Sequence, residues 1–263
     1  MLGLTDFTNT ITCNIPKLAR LKHPPKQLFF QGNSELLENP LISIVGSRKM
    51  STYTKSMVMQ LASALSKSGV VVVSGGAYGV DATAHKFSYP NTVAIMPCSL
   101  DITYPKQNLT LLDDIRKNSL MLSEYEPSTK PFKQNFIARN RVVVGLSDAL
   151  VIAQADESSG SMHSAKFALE SNIPIYVFGH KYGESRGTDS LLREKKATLI
   201  DDIDEFVKLF STTVQKPKSA DEALEYFKTS PSYEDAVAKY SEKVFEYELG
   251  GKIVIENARV FVL

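Results

Sequence analysis

The sequence predicts an α/β protein: a doubly wound, mostly parallel sheet with helices on both faces, followed by a small winged-helix-like domain. Three observations predict it. From Leu41 onward, short β-branched runs alternate with longer segments of helical spacing, the pattern of parallel strands joined by crossover helices. Those runs are apolar almost throughout, as strands covered on both faces must be. A polar, proline-containing stretch, Gln215-Lys216-Pro217-Lys218-Ser219, then separates this rhythm from a tail of different pattern.

In chain order, residues 1–40 carry Pro16, Pro24, Pro25 and Pro40 and do not fit the rhythm. They predict an N-terminal lead-in packed on the sheet, with a short helical piece and a strand at 27–30. Strands follow at 41–45, 70–73, 92–96, 120–123, 149–153 and 175–178. Ser51 or Thr52 caps the first crossover helix, Met57, Leu61 and Leu65 recur four apart along it, and Ser68-Gly69 ends it. Further helices are expected at 106–117, 161–170 and 201–210. The expected domains are thus 1–40, 41–214, a linker at 215–219, and 220–263. In the last of these, helical spacing through 233–249 leads to two β runs around Glu256-Asn257-Ala258, a miniature winged helix. With only about 45 residues, it sits near the lower limit for independent stability.

The 263 residues hold 30 Lys+Arg against 29 Asp+Glu, a formal charge of +1. That excludes attachment to polyanions through bulk charge, so any phosphate site must be local. Cys13 and Cys98 are far apart and show no metal-ligand spacing, so neither a disulfide framework nor a zinc site is expected, and a reducing compartment fits. The first residues lack a basic-then-apolar leader, and the apolar stretch 142–155 is interrupted by Gly145, Ser147, Asp148 and Gln154. A cytoplasmic protein without membrane insertion is the expectation.

Most enzyme signatures are missing. Gly75-Gly76-Ala77-Tyr78-Gly79 lacks dinucleotide-fingerprint spacing, and no Gly-Lys-Ser/Thr occurs. The histidines, His23, His85, His163 and His180, have no paired metal spacing. No catalytic residue, metal or cofactor is expected. Three glycine turns remain where a doubly wound sheet binds its ligand: Val45-Gly46-Ser47-Arg48, Ser74-Gly75-Gly76-Ala77, and Ser159-Gly160-Ser161 ahead of a helix. Such turns offer backbone N–H groups and positive helix ends to an anion, though any α/β sheet needs glycine turns to reverse its chain.

A fourth feature narrows the anion. Between Glu126 and Asp148 there is no acidic residue, yet Lys130, Lys133, Arg139 and Arg141 occur there with Phe132 and Phe136. Cations beside aromatic rings suit single-stranded nucleic acid. The plainer alternative is a solvated basic loop whose phenylalanines plug the core.

Val45-Gly46-Ser47-Arg48, Ser74-Gly75-Gly76-Ala77 leading to Gly79-Val80-Asp81 and Ala84-His85, Tyr104-Pro105 with Asn108, Leu122-Ser123-Glu124-Tyr125, Phe136 to Arg141, Gly145-Leu146-Ser147 and Ser159-Gly160-Ser161 together resemble the DNA processing protein A family, also called DprA or Smf. Order and spacing match over about residues 41 to 200. The resemblance implies an extended Rossmann-like domain that binds single-stranded DNA, forms homodimers, protects incoming DNA and loads the RecA recombinase during natural transformation. By position it implies a phosphate pocket of Gly46, Ser47, Arg48, Gly75, Gly76 and Ala77. Lys133, Asn135, Phe136, Arg139, Asn140 and Arg141 come from its basic segment. Arg48 and Lys133 are expected to meet phosphates and Phe136 to stack on or wedge beside a base; Arg139 and Arg141 either join them or brace the segment through carboxylates. Gly160 and Ser161 complete the set.

Two features depart from that family. About 40 leading residues are too few for the additional N-terminal helical domain of many members. The segment from Lys216 carries seven basic against nine acidic residues, unsuited to reading duplex DNA and better matched to protein contact or dimerisation. A different class of function stays open, a nucleotide-binding module or a nucleoside-monophosphate phosphoribohydrolase on a similar sheet. The cytokinin-activating enzymes of that kind carry Pro-Gly-Gly-x-Gly-Thr, where this chain has Asp156-Glu157-Ser158-Ser159-Gly160-Ser161.

Overall fold

The computed structural model describes residues 10–12, 15–211, 222–249, 252–256 and 258–262. Cys13 and the expected linker at 215–219 lie outside the described residues. Strands β1 (Thr10–Thr12), β2 (Gln27–Gly32), β3 (Leu41–Val45), β4 (Val71–Ser74), β5 (Thr92–Met96), β6 (Leu120–Ser123), β7 (Ala149–Ile152), β8 (Ile175–Val177) and β9 (Thr198–Leu199) form one sheet, ordered β1-β2-β6-β5-β4-β3-β7-β8-β9. All pairs from β6 to β9 are parallel. The lead-in strand β2 joins antiparallel to β6, with Phe29 opposite Ser123, and β1 joins antiparallel to β2.

The mostly parallel, Rossmann-like architecture is as the sequence predicts, and strand ends differ by a residue or so. Strand β4 starts at Val71 because the Val70 N–H is taken by the Leu65 carbonyl, which closes the preceding helix. The helices are α1 (Thr52–Lys67), α2 (Val80–Ser88), α3 (Leu109–Asn118), α4 (Lys133–Leu146), α5 (Gly160–Glu170), α6 (Arg186–Arg193) and α7 (Ile203–Lys208). Ser51 caps α1, its Oγ accepting the Thr54 N–H at 3.1 Å. Asp202 caps α7 in the same way, so that helix starts later than 201. The expected helix at 106–117 is split into a 3-10 turn, Lys106–Asn108, and α3, because the Asn108 side chain turns away to bind the Gly76 and Ala77 carbonyls.

One expectation is corrected. The basic segment after Glu126, treated as a loop, folds from Lys133 into α4. The strands' two-residue period then sorts the core into two layers. Leu41, Val71, Val73 and Val93 pack with Val142 and Val143 of α4 and Ala165 and Ala168 of α5 on one face. Ile42, Ile44 and Val72 pack with Val58, Leu61 and Leu65 of α1 and Val80 and Ala84 of α2 on the other. The chain runs from β3 through β4, β5 and β6 to one side, then returns to place β7 on the other side of β3. This reversal opens a crevice at the strands' carboxyl ends.

The chain divides into two compact units, Met1–Thr212 and Thr213–Leu263. In the second, α8 (Glu222–Phe227), α9 (Tyr233–Leu249) and an antiparallel ribbon of β10 (Ile253–Glu256) and β11 (Arg259–Val262) close over Phe227, Ala236, Val244, Tyr247, Ile253 and Val260. Non-helical angles at Tyr240 (φ −142°, ψ 50°) break α9 into two helices.

Candidate nucleic-acid interface

The crevice is built from the three glycine turns. After β3, a Cβ on Gly46 would lie 2.8 Å from Val80 Cγ2 and 3.1 Å from the Gln154 carbonyl, so only glycine lets the chain pass. Ser47 is then held from three sides: its N–H donates to the Gln154 carbonyl (2.9 Å), its carbonyl accepts from Val80 N–H (3.2 Å), and its Oγ accepts from Lys49 N–H (3.0 Å). The second turn needs left-handed backbone at Gly76 (φ +70°) and Gly79 (φ +74°), where a side chain would strike the Ser47 carbonyl. The third differs. Among the described residues a Cβ on Gly160 would meet nothing within 4 Å, so packing against them does not require a bare backbone at this helix start.

These turns enclose a cavity of about 310 Å³. Ten of the fourteen sequence-predicted residues line it: Gly46, Ser47, Arg48, Gly75, Ala77, Phe136, Arg139, Asn140, Gly160 and Ser161. Arg48 is exposed, with its guanidinium carbon 5.7 Å from the centre of the Phe136 ring. Tyr104 holds that ring edge-on at 5.6 Å. The phenylalanines do not plug the core: Phe132 is 56% exposed and Phe136 is half-buried.

Gly76, Lys133, Asn135 and Arg141 do not line the cavity. Gly76 is buried in its turn, its carbonyl taken by Asn108 Nδ2 at 3.0 Å. Asn135 is buried near the start of α4, its N–H donating to the Phe132 carbonyl. Arg141 makes a two-pronged ion pair with Glu124 at 2.6 and 2.8 Å, the bracing alternative. Lys133 is exposed in the first turn of α4.

Arg139 braces as well as lines. Only 4% exposed, it donates from Nη1 to the Gly75 and Ile95 carbonyls and from Nε to Asn140 Oδ1 at 3.2 Å. Burial pulls its pKa down, against the opposing pull of Asp81. Burial likewise pushes the Asp81 carboxyl up, with Arg139 and the Ala77 N–H drawing it back.

Asp81, Ile137, Ser159 and Ser164 also line the cavity and were not singled out as site residues from the sequence. The Ser159 and Ser164 hydroxyls are buried and meet no hydrogen-bonding partner among the described residues. Ser164 stands three residues after Ser161 on α5, and that spacing is the signal that shares its face. Burial pushes the Cys98 thiol up to about 11, leaving it un-ionised at neutral pH. Among the described residues no cluster of His, Cys, Asp and Glu could hold a metal, and no helix is long and apolar enough to cross a membrane.

Residues 11–211 match the family described as DNA recombination-mediator protein A. DNA processing protein DprA of Streptococcus pneumoniae is 35% identical over 182 residues, 67% of this chain and 64% of its own length. DprA of Bacillus subtilis is 36% identical over 164 residues, 61% and 55% respectively. The match therefore spans less than two thirds of either relative. Among solved structures, DNA processing protein A from Helicobacter pylori, described for its unique single-stranded DNA binding mode, superposes with a TM-score of 0.75 at 41% identity, covering 76% of this chain and 94% of that one. The S. pneumoniae DprA structure gives 0.73 at 31% identity, covering 79% and 76%.

Proposed function

The chain belongs to the DNA recombination-mediator protein A family, and from that premise we propose that it binds single-stranded DNA in the crevice between the ends of β3 and β7. The observation that carries this is the exposed Arg48 guanidinium against the Phe136 ring, at the mouth of a cavity walled by glycine turns. A cation beside a stackable ring serves a phosphate and a base together. The buried Ser159 and Ser164 hydroxyls, without partners among the described residues, add hydrogen-bonding capacity. Lys133, exposed at the start of α4, is the further phosphate contact. The fuller role proposed is protection of incoming DNA and loading of RecA during natural transformation, by a cytoplasmic homodimer. For the segment from Lys216, with its excess of acid, we propose protein contact or dimerisation rather than duplex binding.

Titration of labelled oligo-dT across salt concentrations tests the reading. Three or four neutralised phosphates give a log–log salt slope of about −2 to −3. Replacing Arg48 by alanine is expected to weaken binding to all sequences alike, about tenfold at low salt, and to flatten the slope by about 0.7. Phe136→Ala is expected to lower affinity by a similar factor, about tenfold, with the slope unchanged, because a stacked base is lost and no phosphate contact. Salt-independent or absent binding overturns the proposal, and release of adenine from AMP favours the phosphoribohydrolase alternative.

A further inference from the structure

Resting on the single-strand reading above, we propose that a second hollow, beside the start of α1, is a base-stacking subsite for a nucleotide further along the same strand. Its walls are Ser51, Tyr53, His180, Lys181, Tyr182 and Glu184. Gln154 links residues of this hollow to one of the first cavity. The Gln154 carbonyl receives the Ser47 N–H on one side, while its side chain accepts the Ser51 N–H (2.9 Å) and donates to the Glu184 carbonyl (3.3 Å) on the other. A strand leaving Arg48 along the Arg48–Ser51 turn therefore meets this hollow next.

The hollow presents aromatic surface that the fold does not use. Tyr53 is 48% exposed and Tyr182 fully exposed. A single exposed tyrosine is ordinary, but two lining one hollow beside a nucleic-acid crevice match the stacking platforms of single-strand binders. The Tyr53 ring is already oriented, standing edge-on to His180 at 6.0 Å and 86°. His180 is in turn fixed by its Nε2, which donates to the Ala153 carbonyl at 2.8 Å. Tyr182 sits on a loop that Gly183 (φ +80°) turns, and its full exposure leaves the ring open to meet a base.

The polar groups decide which part of a nucleotide enters. His180 Nδ1 is buried, meets no hydrogen-bonding partner among the described residues and lies 3.9 Å from Glu184 Oε2. The Ser51 hydroxyl, with the Lys181 N–H, holds the Glu184 carboxyl below its usual pKa, so it is ionised at neutral pH. The Glu184 carboxylate repels phosphate and accepts from base N–H groups. The base therefore turns inward, and the connecting phosphate stays with the exposed cations Lys49 and Lys181.

The test compares fluorescein-labelled oligo-dT of about four and about sixteen nucleotides, a range that brackets one site and several. The full chain carrying Tyr53→Ala and Tyr182→Ala together is expected to bind the short oligonucleotide as wild type does and the long one about tenfold more weakly. Tyr53→Phe with Tyr182→Phe, which keeps both rings, is expected to restore wild-type behaviour. Unchanged binding of the long oligonucleotide by the double alanine variant overturns the subsite, and so does an equal loss at both lengths, which would place the tyrosines in the first site or the fold. A wild-type chain that binds neither length, or an Arg48→Ala variant that binds both normally, would instead remove the underlying single-strand reading.

Discussion

Arg139→Ala is expected to lower the unfolding free energy by about 2 to 3 kcal/mol, the order of losing buried hydrogen bonds from a charged donor. The guanidinium lies beneath the cavity at 4% exposure and ties the Gly75 carbonyl, from the second glycine turn, to the Ile95 carbonyl of β5. Its removal strands the buried Asp81 without the charge that holds its carboxyl down, and opens a void under the turn. Denaturant unfolding checks this, with Asp81→Asn as the second arm of a double-mutant cycle. The double variant is expected to be less destabilised than the sum of the single ones by about 1 kcal/mol or more, because Asp81 is costly only when unpaired. Arg139→Lys keeps the charge but not the planar fork, and recovers part of the loss. Oligo-dT affinity is expected to fall with the turn's anchor, while the salt slope changes less than in Arg48→Ala, since Arg139 barely meets solvent. A denaturation midpoint equal to wild type would contradict the bracing role.

The same residue shows where sequence reading stops. The sheet was legible because strands buried on both faces must be apolar throughout, and Leu41–Val45, Thr92–Met96 and Leu120–Ser123 fall where expected. The three glycine turns were legible because the crossover rhythm places them at one sheet edge. Helix α4 was not, because its buried positions include Asn135 and Arg139, while Val142 to Leu146 is buried on every side. Such a segment has no amphipathic period to detect. Four cations in an acid-free stretch therefore read as one basic surface. Folding instead turns Arg139 toward Asp81, 58 residues earlier, and Arg141 toward Glu124, on the far side of the Pro127–Pro131 turn, leaving Arg48 and Lys133 as the exposed cations of the predicted set. Asp81 was quoted as part of a motif, yet its partnership depends on a helix that the local pattern did not reveal.

The second large effect concerns acid. His85 on α2 is fully buried, and its Nδ1 lies 2.7 Å from Thr92 Oγ1. That hydroxyl spends its only proton on the Val72 carbonyl at 2.9 Å, so Nδ1 is the donor and Nε2 carries the lone pair, with no partner among the described residues. Burial first, and then the charge of Arg139, pull the imidazole pKa down to about 3 from 6.5. The unfolded chain thus takes up a proton near pH 6.5 that the folded chain refuses until about pH 3. Stability from keeping His85 neutral is fully present above pH 6.5 and is lost as pH falls, by up to about 1.4 kcal/mol per unit. Between pH 7.5 and 5, before most carboxylates titrate, the expected loss is about 2 kcal/mol. Asp81, whose folded pKa is raised, acts with the opposite sign and gains as pH falls, so the informative quantity is the difference between two chains. The stability of wild type minus that of His85→Gln, measured by denaturant unfolding at each pH, is expected to shrink steadily over this window, since glutamine keeps an N–H for Thr92 and has no proton to gain. Two stability curves that run parallel from pH 7.5 to 5 would show that His85 is not the group that resists protonation.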